Sequence, residues 1–198
     1  MNSVLKCILI GFLIIIFMSL MISFSYAKTK TFYGKVTDAD TGEPIEGAVV
    51  VAYWHDEKWI PFGEWITKLK DVKEALTDKN GEWSIRGPAG EDCLYNALAL
   101  MGIAYCTRAP EFIIFKPGYC SWPQGFSIDA CRNRIKITGD KDEGIGEGGT
   151  LELPKLTNRE RMTMIRNIPS LGMASEFEEN LPLFKKLVEQ EEKEIPRR

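Results

Sequence analysis

Thr37-Asp38-Ala39-Asp40-Thr41-Gly42-Glu43-Pro44-Ile45-Glu46-Gly47-Ala48-Val49-Val50-Val51-Ala52-Tyr53-Trp54 joins a turn to a strand without a spacer. In its first half the aspartates can accept hydrogen bonds from amides just downstream, Gly42 tolerates positive φ, and Pro44 fixes its own φ. Its second half, Ala48 to Trp54, is apolar on both faces of an extended chain, so it reads as a central strand covered on both sides. Upstream, Thr31 to Thr37 carries Phe32, Tyr33 and Val36, good strand formers that lead into the turn.

Working toward the C-terminus, His55 to Lys73 reads as a long connection, with a short amphipathic helical turn at Trp65, Ile66 and Leu69. Glu74 to Thr77, the turn Asp78-Lys79-Asn80-Gly81 and Glu82 to Arg86 predict a β-hairpin. Glu91 to Ala109 reads as an insertion, with Leu94, Ala97, Leu98 and Met101 at helical spacing between Cys93 and Cys106. Strands follow at Glu111 to Lys116, Arg134 to Thr138 and Thr150 to Leu156. Thr157-Asn158-Arg159-Glu160 is a capping box opening a helix with Met162, Ile165 and Ile168 on one face. Asn180 is expected to cap a second helix, with Pro182 in its first turn and Leu183, Phe184, Leu187 and Val188 as its apolar side. Short strands with turn signals between them predict a mainly β sandwich over residues 28–156, with insertions at 55–73 and 91–109. Residues 157–198 form a helical extension expected to dock on it.

The other end of the chain has a different character. Ile8 to Phe24 is almost continuously apolar, Lys6 precedes it, and Ser25-Tyr26-Ala27 places small residues where a cut after Ala27 needs them. This is the pattern of a secretory signal peptide, which predicts a periplasmic or secreted location. An uncleaved N-terminal membrane anchor is the alternative, since about 20 apolar residues can span a bilayer. Residues 28–198 keep Cys93, Cys106, Cys120 and Cys131, an even count that in an exported chain reads as disulfides with three possible pairings. Cys93 with Cys106 is the first choice, because that bridge staples the insertion to itself. No CxxC pair is present, which argues against a zinc ribbon or a thioredoxin-type site. The full chain has a formal net charge of −3, with no basic stripe of the kind nucleic acid requires.

Four segments resemble the carboxypeptidase regulatory-like domain family: Gly34 to Asp38, Thr41 to Val50, Thr77 to Trp83, and Phe115-Lys116-Pro117-Gly118-Tyr119. The resemblance implies a transthyretin-like Greek-key β-sandwich of about seven strands. The function expected of the chain is that of an exported module without catalysis, acting in binding or envelope structure. An extracytoplasmic hydrolase and a homo-oligomeric structural subunit are the alternatives.

The residues themselves offer little catalytic machinery. His55 is the single histidine, so hydrolytic triads and most zinc sites have one candidate to build on. Transthyretin-like hydrolases use several histidines and an arginine, and intradiol dioxygenases bind iron with paired His and Tyr; one histidine argues against both. Asp38, Asp40 and Glu43, and separately Asp140, Asp142 and Glu143, present oxygens to calcium, but neither set has the spacing of an EF-hand loop. No catalytic residue, metal site or cofactor is therefore assigned. The aromatic loop of Trp54, Trp59, Phe62 and Trp65 is the candidate binding surface, for a protein or a carbohydrate. Against this stands the plain reading that Trp54 and Trp83 are core and that Trp59, Phe62 and Trp65 pin their loop onto it.

Overall fold

The computed structural model describes residues 11–12, 28–60, 64–90, 92–94, 104–123, 131, 133–139, 144–167 and 180–195. Strand β1 (Thr29–Asp38) alternates as its sequence requires: Phe32, Gly34 and Val36 are buried, and Tyr33 between them is exposed. It pairs antiparallel with β4 (Glu82–Pro88) and parallel with β9 (Glu147–Leu153). β8 (Lys136–Thr138) completes a four-stranded sheet of order β4-β1-β9-β8.

The second sheet is built on β2 (Val49–Ile60). One edge of β2 pairs along its whole length with β3 (Glu64–Leu76). Its other edge pairs first with β7 (Glu111–Phe115) and then with β6 (Ala104–Thr107), beyond which lies β5 (Asp92–Leu94). The two sheets meet face to face through aromatic rings. Phe32 lies 5.9 Å from both Trp54 and Phe112, and Trp83 lies 5.4 Å from Phe112, measured between ring centroids. The chain is a mainly β, two-sheet structure, with nine strands among the described residues in place of about seven. Val49 to Trp54 is buried throughout, because the four-stranded sheet covers one face of β2 and the last helix contacts the other.

Three expectations change here. The segment 55–73 holds no helical turn: it is the far half of a long β2–β3 hairpin. Trp65, Ile66, Thr67 and Val72 are strand formers, and a ladder to an existing strand satisfies more backbone groups than one isolated helical turn does. Lys70 is the extra residue of a bulge, since Trp54 pairs with Asp71 and His55 with Leu69.

Next, Asp78 to Gly81 is a turn but not a hairpin. The strand before it pairs with β2 and the strand after it with β1, so it carries the chain from one sheet to the other. Tertiary bonds hold this corner. The Thr77 hydroxyl donates to the Ile45 carbonyl (2.6 Å) and accepts from the Ala48 amide (2.8 Å), and the Val36 amide donates to the Gly81 carbonyl (2.8 Å). Gly81 has φ of 74°, and a Cβ there would lie 2.3 Å from the Val36 carbonyl oxygen.

The insertion, finally, opens and closes as strands β5 and β6, which place Cys93 opposite Cys106 in register; residues 95–103 lie outside the described residues. Cys106 is disulfide-bonded, and Cys120 is bonded to Cys131.

The outer edge of β4 is blunted. Its carbonyls at Glu82, Arg86 and Pro88 are occupied by the Asp78 amide, Lys73 Nζ and Trp54 Nε1 at 2.9, 2.7 and 2.9 Å, which leaves less backbone open to a foreign strand. Helix α1 (Asn158–Asn167) starts on the capping box: Glu160 accepts from the Thr157 amide and hydroxyl, and the Glu160 amide donates to Thr157 Oγ1. Helix α2 (Pro182–Glu194) does not use Asn180 as its cap. Leu181 stands at the N-cap without a side-chain bond, and the Glu74 carboxylate of β3 accepts from the Leu183 and Phe184 amides instead (2.7 and 3.0 Å).

Candidate functional site

The β2–β3 hairpin meets solvent at Lys58 and from Ile66 to Lys68. Lys58, Ile66, Thr67 and Lys68 are exposed, Ile66 to 40%. The register sets Trp59 directly opposite Trp65 and Lys58 opposite Ile66. Phe62 lies outside the described residues. Trp54 leaves the candidate set: it is fully buried against Phe32, and its Nε1 donates to the Pro88 carbonyl. A Trp with its one donor satisfied inside the core has no surface left to offer a ligand.

His55 sits where β2 passes from β7 to β6. Its ring meets Tyr53 edge-on at 5.4 Å, and its Nδ1 lies 4.0 Å from Glu111 Oε1. Tyr53 donates to the other Glu111 oxygen at 2.7 Å. Burial, and then the adjacent carboxylate, push the Tyr53 phenol well above its ordinary range, so it stays a proton donor. The trio orients one carboxylate toward one imidazole at a spacing too long for a direct hydrogen bond.

The turn carrying Asp38, Asp40 and Glu43 is closed by its own contacts. Asp38 Oδ1 accepts from the Asp40 and Thr41 amides, and Oδ2 accepts from Tyr119 Oη and Lys155 Nζ, both at 3.0 Å. Burial acts to raise the Asp38 pKa. The bonds from Lys155, the Asp40 amide, Tyr119 and the Thr41 amide outweigh it and hold the group below its ordinary value. The set Asp140, Asp142 and Glu143 lies outside the described residues. Among the described residues, no group of three or more His, Cys, Asp or Glu side chains converges to hold a metal ion.

A third feature was not anticipated. A groove of about 640 Å³ crosses the outer face of the four-stranded sheet. Tyr33, Lys35, Ser84, Glu82 and Thr150 line it, and Leu76 and Asp78 border it. Its signal lay in β1, where Phe32, Gly34 and Val36 point inward and must turn Tyr33, an aromatic, toward water.

No known family model matches the chain, and no curated protein matches it. Among the solved structures that match it are three enzymes. They include a 3-chlorocatechol 1,2-dioxygenase from Rhodococcus opacus 1CP (22% identity, 66% of this chain and 62% of that one, TM-score 0.32). A hydroxyquinol 1,2-dioxygenase from Pseudomonas putida DLL-E4 also matches (15% identity, 67% and 58%, TM-score 0.32). So does a catechol 1,2-dioxygenase from Acinetobacter sp. ADP1 (20% identity, 69% and 55%, TM-score 0.32). The chain spans less than two thirds of each.

These results correct the resemblance to the carboxypeptidase regulatory-like family, which no family model supports. They also correct two further expectations: a module without catalysis, and carbohydrate as its ligand. The hydrolase and structural-subunit alternatives gain no support from them. At this TM-score the likeness does not carry the dioxygenases' reaction over to this chain.

Proposed function

We propose that this chain works outside the cytoplasm and engages a partner protein through the end of its β2–β3 hairpin. The observation that carries the reading is the hairpin end itself: exposed Ile66, Thr67 and Lys68 beside a Trp59–Trp65 cross-strand pair. An exposed isoleucine beside two tryptophans paired in register supplies the residue types of an interface hot spot, where Trp is enriched and a few residues dominate binding. The location is supported by the buried Cys120–Cys131 bridge, a bond that persists in oxidising compartments, and by the apolar stretch before Lys28. Among the described residues, no helix is long and apolar enough to cross a membrane.

The test is a photo-crosslinking amino acid placed at Ile66 in the exporting cell, with a second at Lys79 on the remote corner turn as control. One discrete adduct from Ile66, absent from Lys79 and lost when Trp59 and Trp65 are both changed to Ala, is the expected outcome. Equal labelling from both positions, or an adduct indifferent to the tryptophans, would overturn the reading. Recovery of the chain solely from the cytoplasm would overturn the proposed location.

A further inference from the structure

The groove on the four-stranded sheet is lined in part by side chains without a bonded partner among the described residues. Tyr33, Lys35, Glu82 and Ser84 make no side-chain hydrogen bond or ion pair with any described residue except neighbouring contacts of the backbone. They form two rows across the sheet. Lys35 stands between Glu82 on β4 and Thr150 on β9, and Tyr33 stands between Ser84 and Glu147. Directly opposed residues of an antiparallel pair lie about 5 Å apart at Cβ. Lys35 and Glu82 nevertheless form no salt bridge with each other, so a cation and an anion face the groove side by side.

The apolar part is equally placed. Tyr33 is 54% exposed and Leu76 44% exposed, and both line the same hollow. Between Tyr33 and Lys35 stands Gly34, which faces inward, where a Cβ would sit 2.9 Å from the Gly149 carbonyl oxygen and 3.1 Å from the Trp83 ring. Asp78 adds a second carboxylate at the Glu82 end, but its Oδ1 already accepts from the Asn80 and Glu82 amides, so Glu82 is the carboxylate left for a ligand.

From this arrangement we infer that the groove binds a short peptide with free termini and an apolar side chain. Its ammonium goes to Glu82, its carboxylate to Lys35 with the Thr150 hydroxyl beside it, and its side chain to Tyr33 and Leu76. Charge-assisted bonds to both ends supply specificity, and the aromatic ring supplies contact area at small entropic cost. The groove's volume of about 640 Å³ lies inside the range of small-ligand sites. This site is separate from the hairpin end and stands or falls without it.

The experiment titrates the intact, isotope-labelled protein with the dipeptide Leu-Tyr and with its N-acetylated, C-amidated form, followed by NMR. Amide shifts confined to Tyr33, Lys35, Ser84 and Thr150 are expected, with the blocked dipeptide at least about tenfold weaker. Lys35→Ala should erase the preference for a free carboxylate, and Glu82→Gln the preference for a free amine. Both residues are on the surface, so an unchanged melting temperature accompanies these losses, and Trp59→Ala should leave binding intact. Absence of shifts, shifts located elsewhere, or equal affinity for free and blocked dipeptides would each overturn the inference.

Discussion

Two carboxylates are buried among the described residues, and they hold the molecule in different ways. Glu191, 0% exposed, accepts two bonds from Arg161 (2.7 and 2.6 Å) and one from the Gly118 amide (2.9 Å). It ties α2 at once to α1 and to the Pro117-Gly118 turn after β7. Removing one member of such a group strands the others without water, so Glu191→Ala should lose about 3–5 kcal/mol. A Glu191→Leu, Arg161→Met double substitution should recover most of that, because neither charge then remains buried; denaturant unfolding measures both. Asp38 sits at the end of β1, and its pKa is lowered in the folded state. A depressed carboxylate contributes stability above its unfolded pKa, about 3.9, and loses it as pH falls through the lower folded value. The stability gap between wild type and Asp38→Asn should therefore hold at neutral pH and close below about pH 4. A gap that stays constant through acid would show that Asp38 acts by shape alone.

Helix α2 illustrates how an element can be legible while its anchoring is not. Pro182 and the spacing of Leu183, Phe184 and Leu187 predict the helix, and Phe184 docks on Phe115 at 5.7 Å. The cap comes from Glu74, more than 100 residues away in sequence, and a partner at that separation leaves no local pattern to read. Glu74→Ala should cost about 0.5–2 kcal/mol, the range for losing a helix N-cap, and hydrogen exchange should quicken first at Leu183 and Phe184. The same distinction runs through the sheets. β1, the start of β2, β7 and β9 were legible because alternation or a continuous apolar run marks burial on one face or two. The Asp78–Gly81 corner was misread because an Asn-Gly turn specifies a reversal of direction but not which strands then pair. That choice is made by Thr77 and Gly81 bonding to β1 and to the segment before β2. The 65–69 segment was misread for a related reason: three residues at helical spacing weigh little against a ready ladder. Of the candidate site, the hairpin aromatics were visible as a composition. The groove was not, because its residues come from β1, β3, β4 and β9 and meet only in the fold.

At the scale of the whole molecule, the passage from β7 to β8 is where the two layers are joined last. β7 belongs to the five-stranded sheet and β8 to the four-stranded one, and Cys120 and Cys131 lie on that crossing, 11 residues apart. Both are fully buried within the core cluster. The Cys120 amide donates to the Pro154 carbonyl just past β9, so the bridge sits against the last strand as well. Closing a loop of this length restricts the unfolded chain and stabilises the fold by about 3 kcal/mol in the chain-entropy picture. Its position adds a kinetic consequence. Thiol exchange requires a thiolate to reach a sulfur, and neither cysteine is accessible while the sheets are closed. Dithiothreitol without denaturant should leave Cys120–Cys131 intact for as long as the native state persists. In denaturant it should reduce the bond promptly, and the Cys120→Ala, Cys131→Ala protein should unfold at lower denaturant concentration than wild type by an amount near that same 3 kcal/mol. Mass spectrometry of alkylated peptides reads the first result and an unfolding curve the second. Rapid reduction of the folded protein would mean that the crossing opens independently of the two sheets and that the bridge does not hold them together.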